Sequence, residues 1–170
     1  MNITPATLAD ASELNALINS AYRGESAKKG WTNEAHLLDG IRINEPTLAG
    51  YFRNSNTMIL KCLNAEDQIV GCVYLKTEKN RRMYLGMLTV SPALQANGIG
   101  RQLLRAAEIW AVRSNCRIVY MTVITARTEL LSWYARRGYR NTGRTIPFPV
   151  DTKFGLPKEP IELVILEKNV

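Results

Sequence analysis

The sequence of 170 residues predicts one domain of the α/β class, in which a mixed β-sheet is covered by helices on both faces. The first observation is the order of the segments, which their apolar spacing predicts as β-α-α-β-β-β-α-β-α-β-β. The second is that helical segments are interleaved with a run of hairpin-like strands, which implies a mixed sheet. The third is that no internal repeat or linker divides the chain, so residues 1–170 are expected to form a single domain.

Composition excludes several classes of protein. Hydrophobic residues make up 46% of the chain and charged residues 22%, which excludes wholesale disorder. No apolar run approaches the ~20 residues of a membrane-spanning helix, and the N-terminal segment lacks the pattern of a secretory signal. We therefore expect a cytoplasmic protein without a membrane partner. The net charge of +7 suits an anionic partner but does not identify one.

The chain is predicted to begin with a short strand and an amphipathic helix. Residues 2–4 form the strand, which Pro5 ends, and residues 8–22 form the helix. Thr7 followed by Asp10 resembles a capping box at the start of that helix. The apolar residues that recur at helical spacing are Leu14, Leu17, Ile18 and Ala21.

A loop and a second helical stretch are predicted next. Residues 23–31 are expected to form the loop. Thr32 then opens a helical stretch that is expected to continue through Leu48 to Phe52. The apolar residues placed on one side of its first part are Leu37, Leu38 and Ile41.

The middle of the chain is predicted to form three consecutive strands and a long helix. The strands cover residues 57–63, 68–75 and 83–90, and the pair Glu66–Asp67 suits a hairpin turn between the first two. Apolar residues at helical spacing then predict a helix over residues 98–114.

The last part of the chain is predicted to contain three strands and one short helix. The continuous apolar run at residues 117–124 is typical of a central, buried strand. A short helix follows and ends at Gly138, a residue suited to the left-handed conformation after a helix. Strands over 139–145 and 161–166 are separated by a Pro- and Gly-rich loop at residues 147–160.

The residue inventory does not favour a nucleophilic cysteine or a metal centre. Cys62, Cys72 and Cys116 form no C-x-x-C pair and are expected to be small buried residues in a reducing compartment. The only histidine, His36, is expected at a surface or partly buried helical position. One histidine cannot supply a His-rich zinc site, so we expect no metal.

The segment with chemistry in it joins a strand to a helix at residues 88–104. Gln95-x-x-Gly98-x-Gly100 opens the helix, and glycines there let backbone N–H groups approach a ligand closely. These N–H groups are the unsatisfied donors of a helix N-terminus and favour an anion. The segment lacks the Gly-Lys-Ser/Thr of a P-loop and the spacing of a Rossmann fingerprint. An anion site and a turn that uses glycine only for its geometry both stay open on these residues alone.

Two motifs resemble those of the GNAT superfamily of N-acyltransferases. V-x-P-x-x-Q-x-x-G-I-G-R-x-L-L, residues 90–104, is similar to the family's acyl-CoA-binding pattern Q/R-x-x-G-x-G/A. In the family that pattern follows a strand with L-x-V near its end, here Leu88-Thr89-Val90. S-W-Y-A-R-R-G-Y, residues 132–139, is similar to the family's F-Y-x-x-x-G-F segment. The order of the elements matches over nearly the whole chain.

The resemblance implies a mostly antiparallel sheet in which two parallel neighbours, the strand ending at Val90 and the strand at 117–124, splay apart. Acetyl-CoA is the implied co-substrate, with its pantetheine arm in that gap and its pyrophosphate on the loop N–H groups. Thr89 is expected to point to the strand face opposite its neighbours, toward the acceptor side. The implied cofactor-binding residues are Leu88, Thr89, Val90, Gln95, Ala96, Asn97, Gly98, Ile99, Gly100 and Arg101.

Tyr134 resembles the tyrosine that, in many family members, donates a proton to the departing CoA thiolate. A phenol with an ordinary pKa near ~10 can neutralise the thiolate of a thiol whose pKa is near ~8.5. Helical spacing by itself fits a core aromatic residue at this position. Many members carry an asparagine seven residues before the tyrosine, where this chain has Arg127, which is expected to reach a phosphate or lie at the surface.

Several groups could take the proton from the attacking amine. Many members place a carboxylate on the strand equivalent to residues 83–90, and this chain has no Asp or Glu there. Glu34 is our candidate base, because the first helical region walls the acceptor pocket in the family. An ordinary glutamate at a helix N-terminus, and proton loss through water to backbone carbonyls, are the alternatives.

The function implied by the resemblance is transfer of an acetyl group from acetyl-CoA to a primary amine by direct attack in a ternary complex. The acceptor is a small-molecule or peptide amine, and a homodimer is left open. The alternatives are a non-catalytic acetyl-CoA sensor and a basic module that binds nucleic acid. Because the basic residues are dispersed and lack an aromatic-studded RNA motif, we expect no nucleic-acid partner.

Overall fold

The computed structural model describes residues 1–149 and 151–170. The helices that it describes are α1 (Ala11–Tyr22), α2 (Gly24–Ala27), α3 (Glu45–Tyr51), α4 (Ile99–Arg113) and α5 (Thr128–Ala135). The strands are β1 (Asn2–Pro5), β2 (Leu38–Asp39), β3 (Thr57–Leu63), β4 (Ile69–Glu78), β5 (Arg82–Val90), β6 (Ile118–Ile124), β7 (Arg140–Pro147), β8 (Leu156–Pro157) and β9 (Glu162–Asn169).

Seven strands form one sheet in the order β1-β3-β4-β5-β6-β9-β7. The pair β5–β6 is parallel, and the other neighbours are antiparallel. The predicted fold class is therefore confirmed: a mixed, mostly antiparallel sheet with helices around it. The short strands β2 and β8 pair with each other outside this sheet.

Each face of the sheet carries its own hydrophobic core. On one face, α4 packs Ile99 and Leu103 against the sheet, in the same cluster as Tyr134 of α5. On the other face, α1 packs Leu14 and Ile18, in the same cluster as Leu48 of α3. The apolar spacing of α1 and α4 predicted these buried stripes, since residues three or four apart share one side of a helix.

The parallel pair holds together only at its beginning. Residues 82–84 of β5 pair with residues 118–120 of β6, and both strands then continue without pairing to each other. Met87 has a φ of +46°, and the β4–β5 register shifts opposite it. Such a bulge bends its strand. The ends of β5 and β6 therefore diverge and leave an opening in the sheet.

The bulge also changes which side chains of β5 face α4. Met83 and Leu85 belong to the core on the α4 face, whereas Met87 belongs to the core on the α1 face. Beyond the bulge, Leu88 and Val90 pack against the α4 core. One additional residue reverses the alternation of a strand, so even-numbered residues take over from odd-numbered ones.

The first half of the predicted second helical stretch is wrong. Residues 34–38 make a single turn, in which the N–H groups of Leu37 and Leu38 both donate to the carbonyl of Glu34. Leu38 and Asp39 then extend and pair with β8, so a tertiary contact replaces the helix. Gly40, with a φ of +80°, turns the chain away. The helix in this region is α3, which begins after an Asn44 cap.

The two segments predicted as loops contain short regular elements. The first includes the single-turn helix α2. The second includes β8 and a 3-10 turn at Thr152–Phe154. Both lie beside β2, because β8 pairs with it and Arg23, just before α2, donates to the carbonyl of Asp39. Among the remaining predictions, the capping box is confirmed: the N–H of Thr7 donates to Asp10 Oδ2 at 2.7 Å.

The cysteines and the histidine lie where the sequence places them with respect to solvent. Cys62, Cys72 and Cys116 are buried and free. Burial raises the pKa of the Cys72 thiol to about 12, so this side chain is protonated at neutral pH. His36 is exposed, on the turn that replaces the predicted helix. In the described part of the chain, no helix combines the length and the apolar character needed to span a bilayer.

Candidate active site

A cavity of about 580 Å³ lies beside the end of β5. It is bounded by the end of β5, the loop before α4, the start of α4 and one side of α5. All ten residues predicted to bind the cofactor line it, as do Tyr134 and Arg127. The tertiary structure thus brings together residues that are adjacent in sequence and residues from a separate motif about forty positions later.

The edge of β5 presents backbone carbonyl groups to this cavity. The carbonyl oxygen of Leu88 accepts a hydrogen bond from the Tyr22 hydroxyl at 3.1 Å. The carbonyl oxygen of Val90 accepts from Gln95 Nε2 at 3.3 Å. In both bonds the donor is a side chain and not a neighbouring strand. The two carbonyls therefore lie on an edge of β5 that pairs with no other strand, and an extended ligand can form hydrogen bonds there.

Thr89 lies between these two residues and faces the other way. It is 1% exposed, and its hydroxyl donates to the carbonyl of Met87 at 2.9 Å. Its ladder partner Cys72 belongs to the core on the α1 face. The predicted alternation is therefore present, and the hydroxyl satisfies a carbonyl in the bulge.

The N-terminus of α4 has the backbone geometry of an anion site. Gly98 caps the helix with a φ of +84°, a left-handed conformation that glycine adopts at little cost. The first bond of the helix runs from the Gln102 N–H to the Gly98 carbonyl. Within residues 1–149 and 151–170, the N–H groups of Ile99, Gly100 and Arg101 donate to no protein acceptor. These N–H groups are free to bind a negatively charged ligand.

Arg137 adds positive charge to the same cavity. Its guanidinium lies 3.6 Å from the centroid of the Trp133 ring and donates to the Trp133 carbonyl at 2.7 Å. Burial, with Arg136 and Arg101 nearby, lowers the pKa of Arg137. Its Nε is buried and has no hydrogen-bond partner in the described residues. A bound phosphate would relieve both the unpaired donor and the repulsion between arginines.

Tyr134 is buried, yet its hydroxyl is uncommitted. Its ring packs edge-on against Trp133 and Tyr139, with centroids 5.0 and 5.6 Å away. Burial raises the pKa of Tyr134 above the ordinary value for a phenol. Among the described residues, no side chain or backbone group bonds its hydroxyl. Tyr134 is therefore a core aromatic residue, as its helical spacing allows, and its protonated hydroxyl is also free to donate a hydrogen bond.

A second cavity, of about 230 Å³, lies on the other side of Tyr134. Five residues line both cavities and form the wall between them: Tyr22, Leu88, Arg127, Leu130 and Tyr134. Most of the other residues that line the second cavity are aliphatic or aromatic. They include Tyr51, Tyr84, Phe148 and Phe154. A group that enters from the first cavity would therefore meet a small molecule in the second at Tyr134.

Glu34 lines the second cavity, but both of its oxygens are occupied. Oε2 accepts from Arg23 Nη2 at 3.0 Å, and Oε1 accepts from Arg127 Nη1 at 3.1 Å. All three side chains are buried, with at most 9% of each exposed. Arg127 does not lie at the surface, because only 7% of its side chain is exposed, and its Nη2 donates to the Thr32 hydroxyl. The alternative that it reaches a phosphate stays a prediction, since Arg127 also lines the larger cavity.

Arg23 connects this ion-pair cluster to the loops around the second cavity. Its Nη2 also donates to the carbonyl of Phe154 at 2.8 Å, and its Nη1 to that of Asp39 at 3.5 Å. Gly155 packs so closely on the Arg23 guanidinium that a Cβ there would overlap it. The cluster thus fixes the two loops that the sequence left undefined.

Sequence reasoning missed several residues of this site. Tyr22 and Arg23 were placed at the end of a helix and the start of a loop, and Arg42 was not considered. Arg137 was given no role in the site. No spacing rule joins Arg23 to Phe154, since their contact depends on the fold.

A family model described as the acetyltransferase (GNAT) family matches residues 18–139, which is well over half of the chain. The chain belongs to the GNAT family. Its resemblance to the family, predicted from the two motifs, is confirmed. The family takes its description from acetyl transfer, which is the reaction considered below for this chain.

Individual relatives agree with the GNAT assignment. A mycothiol acetyltransferase from Jonesia denitrificans is 27% identical over 146 residues, which cover 85% of this chain and 44% of that protein. The chain thus spans less than half the length of this curated relative. A GNAT acetyltransferase from Streptococcus pneumoniae is 21% identical, with a TM-score of 0.70 over 99% of each chain. A ribosomal-protein-alanine N-acetyltransferase from Brucella melitensis is 18% identical, with a TM-score of 0.72 over 100% of each. These two solved structures share the fold.

Proposed function

We propose that this GNAT protein transfers the acetyl group of acetyl-CoA to a primary amine by direct attack in a ternary complex. The observation that carries the proposal is the common wall of the two cavities, which contains Tyr134 and the Leu88 carbonyl. A thioester held in the larger cavity and an amine held in the smaller one would meet across this wall. Holding both reactants in place can supply most of the acceleration.

The larger cavity has the chemistry needed for the cofactor. The free N–H groups at the start of α4 and the unpaired Nε of Arg137 suit the phosphates. The carbonyls of Leu88 and Val90 suit the amide groups of the pantetheine arm, which would extend the sheet as an added strand does. Gln95, Ala96, Asn97, Ile99, Gly100 and Arg101 complete the proposed cofactor contacts with Gly98 and Thr89.

The chemical step forms one bond and breaks another. The amine nitrogen attacks the carbonyl carbon of the thioester, and the carbon–sulfur bond then breaks. Tyr134 gives its proton to the departing sulfur, while the attacking nitrogen loses a proton to water. Burial keeps the Tyr134 phenol protonated, so it is available as the acid at neutral pH.

The contacts of Glu34 bear on which group takes the proton from the amine. The two ion pairs hold the Glu34 carboxylate against Arg23 and Arg127 and do not direct it at an amine in the second cavity. Water leading to backbone carbonyls is therefore the path that we favour, and Glu34 as base stays a prediction. The pH profile of kcat for Glu34→Gln separates the two: a base gives an acidic limb that the variant lacks, whereas the water path leaves the limb in place.

Calorimetry with CoA tests the cofactor site, and thiol release with a panel of amines tests the transfer. Gly98→Trp is expected to abolish CoA binding, because the indole would fill the anion site. Gly143→Trp is the matched control, since Gly143 also has a positive φ but lies on an exposed strand with nothing within 4 Å of its Cβ position. Unchanged CoA binding in folded Gly98→Trp would refute the site.

The same measurements separate an enzyme from an acetyl-CoA sensor. Acetyl-CoA at ~100 times its Kd should stabilise the folded protein by ~2.7 kcal/mol in either case. Release of free thiol with at least one amine identifies the enzyme. Stabilisation without thiol release from any amine in the panel would identify the sensor.

A further inference from the structure

The charges that face the acceptor cavity are not balanced. Three charged side chains line it: Glu34, Arg42 and Arg127. Arg127 is ion-paired with Glu34, and Glu34 is also paired with Arg23 from behind the cavity wall. The lining therefore carries a net positive charge, and Arg42 is the cation in it that this network does not neutralise.

Arg42 is held in place without a carboxylate partner. Its guanidinium carbon lies 5.4 Å from the centroid of the Tyr22 ring and 5.7 Å from that of Phe154. Its backbone N–H donates to Asn19 Oδ1 at 2.7 Å, which fixes the start of the side chain. Across residues 1–149 and 151–170, its guanidinium has neither an ion-pair partner nor a hydrogen-bond acceptor. Contact with aromatic rings leaves the guanidinium N–H groups free, because those groups donate in the plane of the guanidinium.

The size of the cavity restricts what could pair with Arg42. Its volume is about 230 Å³, which is below the ~300–1,000 Å³ of sites for drug-sized ligands. A small molecule fits this space better than an oligosaccharide or a folded protein segment. The net positive lining disfavours polyamines and other acceptors with several ammonium groups, and it favours an anion.

We propose that the acceptor is a small amine that carries a carboxylate, such as a free amino acid, and that Arg42 binds the carboxylate in the acceptor cavity. This rests on the proposed acetyl transfer, because the amine of the same molecule is the nucleophile. A guanidinium presents paired donors that match the two oxygens of a carboxylate. The aromatic walls leave the acceptor side chain an apolar or aromatic surface to contact.

The positive lining also assists the reaction. An ammonium group near positive charge has a lowered pKa, so a larger fraction of the acceptor is the neutral amine that can attack. The cavity thereby does without the strand carboxylate that β5 lacks. The carboxylate of the acceptor holds the molecule in the cavity despite the repulsion of its ammonium group.

The first test compares each of the twenty L-amino acids with its own carboxamide as acceptor for acetyl-CoA. The two members of each pair differ in the carboxylate, and the carboxamide also imitates a peptide N-terminus. Because loss of the carboxylate lowers the pKa of the amine, kcat/KM is expressed per concentration of neutral amine. We expect the best acceptor to prefer the carboxylate form by at least about 10-fold in kcat/KM. Equal or higher kcat/KM for the carboxamides would overturn the proposal while leaving acetyl transfer to amines intact.

The second test removes the charge of Arg42. Arg42→Gln is expected to lower the carboxylate-to-carboxamide ratio of kcat/KM about 10- to 100-fold, the range for losing a hydrogen bond to a charged group. Arg42→Lys should keep part of the ratio, because the charge remains. Arg53→Gln is the control, since Arg53 is exposed after α3 and lines neither cavity. An unchanged ratio in folded Arg42→Gln would refute the assignment to Arg42.

A binding measurement keeps the proposal testable if no acceptor turns over. The probes are the twenty N-acetyl-L-amino acids and their carboxamides, titrated by calorimetry into the CoA-saturated protein. Tighter binding of carboxylates, lost in Arg42→Gln, would support the carboxylate site and refute only the transfer reaction. No preference for the carboxylate in any of the twenty pairs would refute the site.

Discussion

The hydroxyl of Tyr22 donates a hydrogen bond of 3.1 Å to the carbonyl oxygen of Leu88. This joins the end of α1 to the unpaired edge of β5, at the wall between the two cavities. The carbonyl involved is one of those proposed for the pantetheine arm. An internal donor therefore occupies the edge that the cofactor is proposed to use, and cofactor binding must displace or share this bond.

Tyr22→Phe is expected to strengthen CoA binding. The variant removes the competing donor and keeps the ring beside Arg42, so the Leu88 carbonyl is left for the cofactor. One neutral hydrogen bond corresponds to about a 2- to 10-fold decrease in Kd, measured by calorimetry. A weaker affinity for CoA would show instead that the Tyr22 hydroxyl itself contacts the cofactor.

Tyr134→Phe is expected to lower kcat about 100-fold and to change the KM for acetyl-CoA by less than threefold. The variant removes the proton donor and leaves the edge-on packing with Trp133 and Tyr139 in place. Steady-state kinetics measure both values. An unchanged kcat would eliminate the acid role and leave Tyr134 as a core aromatic.

The pH dependence of the native protein follows from the raised pKa of Tyr134. A phenol whose pKa lies above ~10 stays protonated below that pH, so the acid form is retained through neutral and mildly alkaline conditions. We expect no decline of kcat below pH ~10 from loss of this proton. A fall between pH 7 and 9 that is absent from Tyr134→Phe would contradict the raised pKa.

Glu34→Gln is expected to destabilise the fold by about 3–5 kcal/mol, because it leaves the buried Arg23 without a carboxylate partner and Arg127 with only the more exposed Glu129. Chemical denaturation measures the free energy of unfolding. Glu129→Gln is the control, since Glu129 is 39% exposed and 3.6 Å from Arg127 Nε, and it should cost less than about 1 kcal/mol. If the two variants lost the same free energy of unfolding, the ion pairs of Glu34 would not be what stabilises the cluster.

Gly155→Ala is expected to affect the acceptor more than the cofactor. A Cβ at this position would overlap the Arg23 guanidinium and approach the Asp39 carbonyl to 2.9 Å, so the loops around the second cavity must move. We predict a rise of at least about 10-fold in the KM of the amine, with the Kd of CoA within threefold, since a small displacement of positioning groups is costly to catalysis.

Gly143→Ala separates that overlap from backbone strain. Gly143 has a φ of +74° and nothing within 4 Å of its Cβ position, so the variant should lose stability through strain alone. Its KM for the amine is expected to match that of the native protein. If both glycine variants raised this KM to the same extent, close packing on Arg23 would not be the cause.

The sequence is informative wherever a local rule determines structure. The helices α1 and α4 were predicted because their buried residues recur every three or four positions. The candidate anion site at the start of α4 could be predicted because it is built from consecutive residues around Gly98. By contrast, residues 32–41 were predicted as a helix from Leu37, Leu38 and Ile41, although pairing of β2 with β8 makes part of this segment extended.

The two cavities also differ in how far apart their lining residues lie in the sequence, and this decides how well each could be predicted. The cofactor cavity lies between one strand–loop–helix unit and α5, and two motifs were enough to anticipate it. The acceptor cavity takes side chains from α1, residues 34–42, β5, β6 and the loop before β9, and no motif links them. Glu34 was singled out in sequence, but the arginines on both of its oxygens were not foreseen.

The sequence by itself determined the fold class, the family and the position of the loop proposed for the cofactor phosphates, because periodicity and glycine-rich turns act over neighbouring residues. Only the tertiary structure determined the lining of the second cavity, which we propose for the acceptor. The burial of Glu34 between Arg23 and Arg127, and the unpaired charge of Arg42 between two rings, arise from contacts between distant segments. Such contacts form only when the sheet and its helices bring those segments together. Periodicity and motifs among neighbouring residues therefore do not predict them.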